Sequence, residues 1–163
     1  MIIELDTYIN IKEILTSGAC FRYNVEEDGS VTNILSDRVV NIKQDDKKLI
    51  IKSSNYDNLK EVIYEYFDLN RDYQSINQEI LRNNKELEKM IKKCETYRIL
   101  NQESFEMCIS YIISQNNNVK RISKSIEKLC EKHGKEIVFE ENKHYLFPKY
   151  KDIKHITIDD LND

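Results

Sequence analysis

The chain has 163 residues, with 29 Asp or Glu, 25 Lys or Arg and a net charge of -4 at neutral pH, which is enough for about one domain of ~100–200 residues with a real core. Only three glycines and one proline occur, and Gly18, Gly29 and Gly134 lie far apart, so GxGxxG and GxxxxGK phosphate cradles are excluded. No apolar run reaches the ~18 residues of a membrane span, and the opening MIIELDTYINIKE carries acids and no basic n-region, so no secretory signal is expected.

The first third reads as strands. Met1–Leu5, Ala19–Asn24, Ser30–Leu35, Arg38–Lys43 and Lys48–Lys52 are short and rich in Ile, Val or aromatic residues. The turn-forming stretches Glu26–Gly29, Ser36–Asp37 and Asp45–Asp46 punctuate them. Gaps this short imply an antiparallel meander, because parallel neighbours need long crossovers. Between the first two strands, Asn10–Leu15 predicts a short helical turn ending at Ser17-Gly18.

The period then changes. Leu59, Val62, Ile63, Tyr66 and Phe67 recur at helical spacing, which predicts an amphipathic helix over 57–67 with Asn55 or Asp57 as N-cap. Helices are also predicted over Tyr73–Arg82, Lys85–Cys94, Glu103–Ser114 and Val119–His133. The 103–114 stretch, ESFEMCISYIIS, is apolar most of the way round and should be a central buried helix. Val119, Ile122, Ile126, Leu129 and Cys130 form the inner face of the next. The tail holds a weak strand at Ile137–Phe139, Phe147-Pro148 and an acidic end, TIDDLND. The expected architecture is α+β: four or five antiparallel strands within residues 1–53, one helix packed on them, then four helices.

Cys20, Cys94, Cys108 and Cys130 form no CxxC, and His133, His144 and His155 have no ligand spacing. No metal and no cofactor is therefore expected. Cys94, Cys108 and Cys130 sit among apolar helix positions, where cysteine is usually a small buried hydrophobe, and the chain reads as reduced and cytoplasmic.

Charge is unevenly spread. Residues 1–70 hold 8 basic and 13 acidic side chains, net -5, whereas residues 110–135 hold six Lys or Arg against two Glu, net +4. Such a local field can meet phosphates whatever the total charge. The patch begins within YIISQNNNVKRISKSIEKLC, residues 111–130, where three asparagines join two helices and Lys120, Lys124 and Lys128 recur every four residues. These residue types suit DNA, since cations and helix N-terminal amides meet phosphates and Asn and Arg read base edges. They suit punctuation equally, since Asn caps helices at either end and a lysine stripe is usually a solvated face. The residue chemistry leaves both readings open.

SGACFRYN (17–24), YFDLNRDY (66–73), YRILNQESFE (97–106), SQNNNVKRI (114–122) and YLFP (145–148) add a further consideration. In order and spacing the chain resembles the N-terminal portion of 8-oxoguanine DNA glycosylase/AP lyases, a helix-hairpin-helix family, of the bacterial, clostridium-like kind. The resemblance implies an antiparallel, TATA-binding-protein-like sheet domain with its helix in residues 1–68, then an incomplete helical glycosylase domain in residues 69–163. It also implies base-excision repair, with double-stranded DNA carrying a damaged base as partner.

Under that resemblance Gly18, in G-x-[CS]-F-R-[WY], offers its carbonyl to the N7 hydrogen of 8-oxoguanine. Guanine lacks this hydrogen, and a buried acceptor left facing another acceptor costs ~1–3 kcal/mol. Asn116 and Arg121 face the cytosine left behind when the lesion is flipped out, while Asn118, Lys120 and Lys124 lie along the DNA backbone. Tyr23 stands where many members have Trp, and Ser104 where the segment usually has Pro.

Family catalysis needs a glycine-bearing helix–hairpin–helix, a nucleophilic lysine just beyond it and a later aspartate. The lysine amine attacks C1′, displaces the base and forms a Schiff base that permits β-elimination. No two glycines here are closer than Gly18 and Gly29, so no catalytic residue is expected among these positions. The expectation is a damage-recognition part, inactive alone, with a separately encoded catalytic half as one partner. A stand-alone, non-enzymatic DNA-binding module and an inactive gene remnant are the alternatives. If part of a helical domain is missing, apolar surface on the helices after residue 100 should lack a covering neighbour.

Overall fold

Alternating apolar side chains make the first part a half-buried sheet. In the computed structural model, which describes residues 1–157, β1 (Ile2–Glu4), β2 (Tyr23–Val25), β3 (Val31–Ile34), β4 (Val39–Asp45) and β5 (Lys48–Ser53) pair in the order β1-β5-β4-β3-β2. Every pairing is antiparallel, with Ile42 opposite both Val31 and Ile51 and with Ile3 opposite Leu49. β2 to β5 form the expected meander, and β1 adds to its β5 edge. In β5, Leu49, Ile51 and Ser53 are buried while Lys48, Ile50 and Lys52 are exposed. A one-residue slip would turn the apolar set to water, so the register is strongly specified. The acidic end after Thr157 lies outside the described residues.

Two helices share a hydrophobic cluster with this sheet. Ile11, Ile14 and Leu15 of α1 (Ile11–Thr16), and Leu59, Ile63 and Tyr66 of α2 (Leu59–Tyr66), cluster with Ile3, Val31, Ile42 and Leu49. Asn10 caps α1 by accepting from the Glu13 amide at 3.1 Å. α2 begins at Leu59, the first residue of its apolar series and two residues after the expected start, and neither Asn55 nor Asp57 caps it. Asn55 Oδ1 instead accepts from the Asp57 amide at 2.9 Å, a local turn, and Asn58 occupies the cap position in the left-handed conformation at φ 49°.

The remainder is helical with one hairpin. α3 (Tyr73–Asn83) is capped by Asp72, which accepts from the Ser75 amide at 3.0 Å. A 3-10 turn at Lys85–Leu87 leads into α4 (Glu88–Cys94), so the stretch predicted as one helix is not uniformly α. α5 (Ser104–Ser114) and α6 (Val119–His133) follow, then β6 (Glu136–Phe139) pairs antiparallel with β7 (Asn142–Tyr145), and α7 (Tyr150–Ile153) is one turn. β7 and α7 are additions to the expected elements. Phe21, Ile122, Ile126, Leu129, Cys130 and Phe147 form a second cluster, with Phe105, Ile109 and Ile113 packed on it.

α5 corrects an expectation. Only Ser110 in it is buried, and Tyr111 and Ile112 are 54% and 60% exposed. One side of the helix packs on the second cluster, whereas its other apolar side chains meet no covering element among the described residues. The uncovered apolar surface expected after residue 100 is present, and it begins earlier. α3 and α4 bury no residue and expose Ile76, Ile80 and Met90. Cys94 on α4 and Cys108 on α5 are exposed rather than buried, while Cys130 is buried as expected. Among the described residues no helix is long and apolar enough to cross a membrane.

This contrast is measurable by urea unfolding. Phe67 is fully buried, so Phe67→Ala is expected to cost ~3–5 kcal/mol, whereas Ile112→Ser should stay within about 0.5 kcal/mol. A loss at Ile112 as large as that at Phe67 would mean that α5 is covered in solution.

Candidate nucleic-acid interface

The segment after α1 needs a glycine. Gly18 has φ +91° with open space where a Cβ would sit, so the requirement is backbone conformation rather than room. Neighbouring bonds hold the segment on both sides of Gly18. Tyr97 donates its hydroxyl to Ser17 Oγ at 2.7 Å, and Gln102 Nε2 donates to the Ala19 carbonyl at 2.7 Å. The next three residues diverge. Cys20 enters the sheet cluster, Phe21 enters the α6 cluster with its ring edge-on to Tyr111 at 6.3 Å, and Arg22 is buried at 5% exposure. This divergence shortens β2, which begins at Tyr23 rather than at Ala19.

The asparagine run at the α5–α6 junction divides its labour. Asn117 Oδ1 accepts from the Asn118 amide at 3.0 Å, and Asn118 Oδ1 accepts from the Arg121 amide at 3.1 Å. Those two serve the chain turn and the α6 N-cap, which is the punctuation reading. Asn118 retains its side-chain NH2 for an outside partner. Asn116 differs: it is exposed and adopts the left-handed conformation at φ 52°. Lys120, Arg121 and Lys124 are exposed, and none joins an ion pair among the described residues. The structure thus gathers Asn116, Asn118, Lys120, Arg121 and Lys124 on one exposed junction, with Gly18 on a separate segment.

An ionic cluster forms around Arg22, four residues after Gly18. Arg22 Nη2 donates to the Tyr145 carbonyl, and the guanidinium sits 4.0 Å from a Glu106 oxygen on α5 and 3.7 Å from a Glu127 oxygen on α6. Nε and Nη1 of Arg22 are buried without a hydrogen-bond partner among the described residues. Burial pushes the Glu106 carboxyl up to about 7, Arg22 opposes the shift, and the carboxylates of Glu103 and Glu127 add to it. A cleft of about 330 Å3 opens on Glu106 beside Cys20, Tyr66 and Gln102, and another of about 400 Å3 opens on Arg22 beside Lys124, Glu127 and His144. Phe21, Arg22, Gln102, Glu106 and Glu127 escape a reading based on exposed polar motifs. The one signal for Glu106 is a carboxylate in the middle of an otherwise apolar helix start.

Comparison with known proteins gives this geometry a setting. The family defined as 8-oxoguanine DNA glycosylase, N-terminal domain, matches residues 2–108. Among solved structures, MBOgg1 in complex with a low-affinity DNA ligand is similar at 37% identity and a TM-score of 0.89, over 98% of this chain and 55% of that one. The apo form of Clostridium acetobutylicum 8-oxoguanine glycosylase/lyase is similar at 34% identity and 0.89, over 98% and 56%. The same enzyme with double-stranded DNA containing cytosine opposite 8-oxoguanine matches at 33% and 0.85, over 99% and 58%. The chain spans a little more than half the length of the structures it matches.

The raised Glu106 carboxyl has a consequence for stability. Unfolded, it ionises near its ordinary 4.5; folded, near about 7. The folded state therefore holds an extra proton between those values, so this contribution is complete below about pH 4.5 and is lost as pH rises to about 7. His144, lowered from 6.5 by burial, has the opposite slope below pH 6.5 but is common to wild type and Glu106→Gln. The melting temperature of wild type minus that of Glu106→Gln should fall from about pH 5 to pH 7 and level off above. A difference that stays flat across this range would refute the shift.

Proposed function

The chain belongs to the family of 8-oxoguanine DNA glycosylase N-terminal domains, and from that footing we propose that it is the damage-recognition part of a base-excision-repair glycosylase/AP lyase. Its ligand in this reading is double-stranded DNA with a damaged base opposite cytosine, bound in the cytoplasm. The observation that carries the reading is the α5–α6 junction. Asn116 is held in a left-handed turn and exposed beside three cations that join no ion pair among the described residues, so donors and positive charge converge at one exposed place. Asn116 and Arg121 occupy the gap opposite the flipped lesion, replacing part of the stacking that flipping costs. Lys120, Lys124 and the free amide group of Asn118 take phosphates, and the Gly18 carbonyl tests for the N7 hydrogen.

Two packing centres support a division near residues 1–68 and 69–163, although Phe21 packs with the second and Leu69, Tyr97 and Leu100 pack with the first. No catalytic side chain is assigned. An exposed lysine amine near ~10.4 is a poor nucleophile at neutral pH, and Glu140, Glu88 and Glu136 push Lys52, Lys92 and Lys143 higher still. The reacting lysine belongs, in this reading, to the remaining length of the family fold. The uncovered apolar sides of α3, α4 and α5 are where that remainder would pack, and a catalytic half supplied in trans should restore activity if it is separately encoded.

Fluorescence anisotropy with labelled duplexes tests recognition. Arg121→Ala should weaken binding to abasic DNA opposite cytosine by ~1–3 kcal/mol and weaken intact duplex less. The salt dependence of log K should have a slope no steeper than about -4. Equal losses on both duplexes would remove Arg121 from its assigned role. Borohydride treatment of the chain with abasic DNA should trap no adduct, and a covalent species would overturn the division of labour.

A further inference from the structure

The segment bearing Gly18 and the junction bearing Asn116 and Arg121 come from different parts of the chain, yet on the proposed reading both must address one base pair at the same time. Gly18 lies at the end of α1, four residues before Arg22. Asn116 to Asn118 lie between α5 and α6, and each of these helices presents one carboxylate to the Arg22 guanidinium, Glu106 at 4.0 Å and Glu127 at 3.7 Å. Arg22 also donates to the Tyr145 carbonyl on β7. Its side chain is 2% exposed and that of Glu106 14%, so water screens that contact little, whereas Glu127 is 41% exposed and its contact is partly screened.

We propose that Arg22, with Glu106 and Glu127, is a positioning cluster that sets the Gly18 segment against the α5–α6 junction. The proposal rests on the DNA-recognition reading for its purpose and on geometry alone for its existence. Each member belongs to a different part of the fold: Arg22 immediately precedes β2, Glu106 lies in the first turn of α5, and Glu127 lies midway along α6. Neither carboxylate is within ordinary hydrogen-bond distance of the fork, and Nε and Nη1 are unpartnered. The attraction is therefore longer-range and shared rather than locked in one bidentate pair. An arginine in that state responds to the charge of whichever carboxylate changes.

Glu106 is the member that changes near neutral pH. Facing it are Arg22, Glu103 at the α5 N-cap, Glu127 on α6, and the buried Cys20 and Tyr66 on the sheet side, while His144 on β7 faces Arg22 and Glu127. The cleft beside Cys20 and Tyr66 opens on Glu106. Ionised Glu106 draws Arg22 toward α5 as well as α6; neutral Glu106 leaves Glu127 as the one charged carboxylate within 4 Å of it among the described residues. The relative placement of the two DNA-facing segments then follows this one proton.

The test needs no DNA at first. Two-dimensional amide NMR spectra of the 15N-labelled full chain, recorded from about pH 5.5 to 8.5, should show Gly18 and Ala19 titrating with the same midpoint as Asn116 to Arg121, near the Glu106 value of about 7. The shared midpoint should vanish in Glu106→Gln. In Glu127→Gln, which removes a charge that raises Glu106, the shared midpoint should move lower, and this variant decides the matter if Glu106→Gln does not fold. Separate midpoints for the two segments, or a shared midpoint that persists in Glu106→Gln, would overturn the proposal.

Anisotropy then asks about purpose. The ratio of affinities for abasic and intact duplex should be about fivefold larger at pH 8 than at pH 6, with Glu106→Gln at pH 8 behaving as wild type does at pH 6. A ratio indifferent to pH despite a shared midpoint would overturn the positioning role. A wild-type chain with the shared midpoint but no preference for abasic DNA at any pH would uphold the coupling and defeat the DNA reading instead.

Discussion

A guanidinium taken out of water obliges its surroundings to supply both charge and acceptors, because the desolvation cost of one ion is several kcal/mol even after relaxation. Arg22 imposes that obligation on three elements at once. α5 contributes Glu106, α6 contributes Glu127, and the β6–β7 hairpin contributes the Tyr145 carbonyl. A large shift of any one of them would leave the buried positive charge less well compensated. Phe21, one residue earlier, anchors the same stretch by burial among Ile122, Ile126 and Phe147. The sheet and the helices are thus joined through two adjacent side chains, one ionic and one apolar, in the segment that carries Gly18.

The other physical constraint lies in α3 and α4. Helices shorter than ~12–15 residues are marginal in water without tertiary packing, yet α3 has 11 residues, α4 has 7, and neither buries a side chain. Their caps and the Lys92–Glu88 pair at 2.8 Å are exposed interactions worth little in water. α5 adds Tyr111 and Ile112 to the same kind of surface. Three helices with apolar faces turned outward is the pattern expected where a further layer of protein belongs, and the matched structures have nearly half their length beyond the region this chain covers.

The sheet, α2 and α6 were legible because their apolar residues repeat at the periods of strands and helices. β5 shows this well, since its buried and exposed positions alternate throughout. The burial of α5 was not legible: an all-round apolar helix predicts a core only when every neighbour is present. β7 was missed because its turn, Glu140-Glu141, adopts positive φ at both residues without the Asn or Gly that normally announces such a hairpin. The exposed Asn and Arg of the junction were visible as motif residues. The cluster beneath them was not, because Arg22, Glu106 and Glu127 are more than 20 residues apart in pairs and nothing local links them.

Charge on α6 explains how an acidic chain can present a basic edge. Lys120 and Lys124 lie on its exposed side, one turn apart, while Ile122, Ile126 and Leu129 face inward. Glu127 lies on the flank toward Arg22, half exposed, with a carboxylate oxygen 3.7 Å from the guanidinium. The buried positive charge offsets that of the acid beside it, so the outward field of the helix is more positive than its own residues suggest. That field acts over about a Debye length, ~8–10 Å at physiological salt, so the -4 total charge governs the molecule at a distance while the α6 edge governs contact. The same buried cation thus serves both packing and the sign of the adjoining α6 surface.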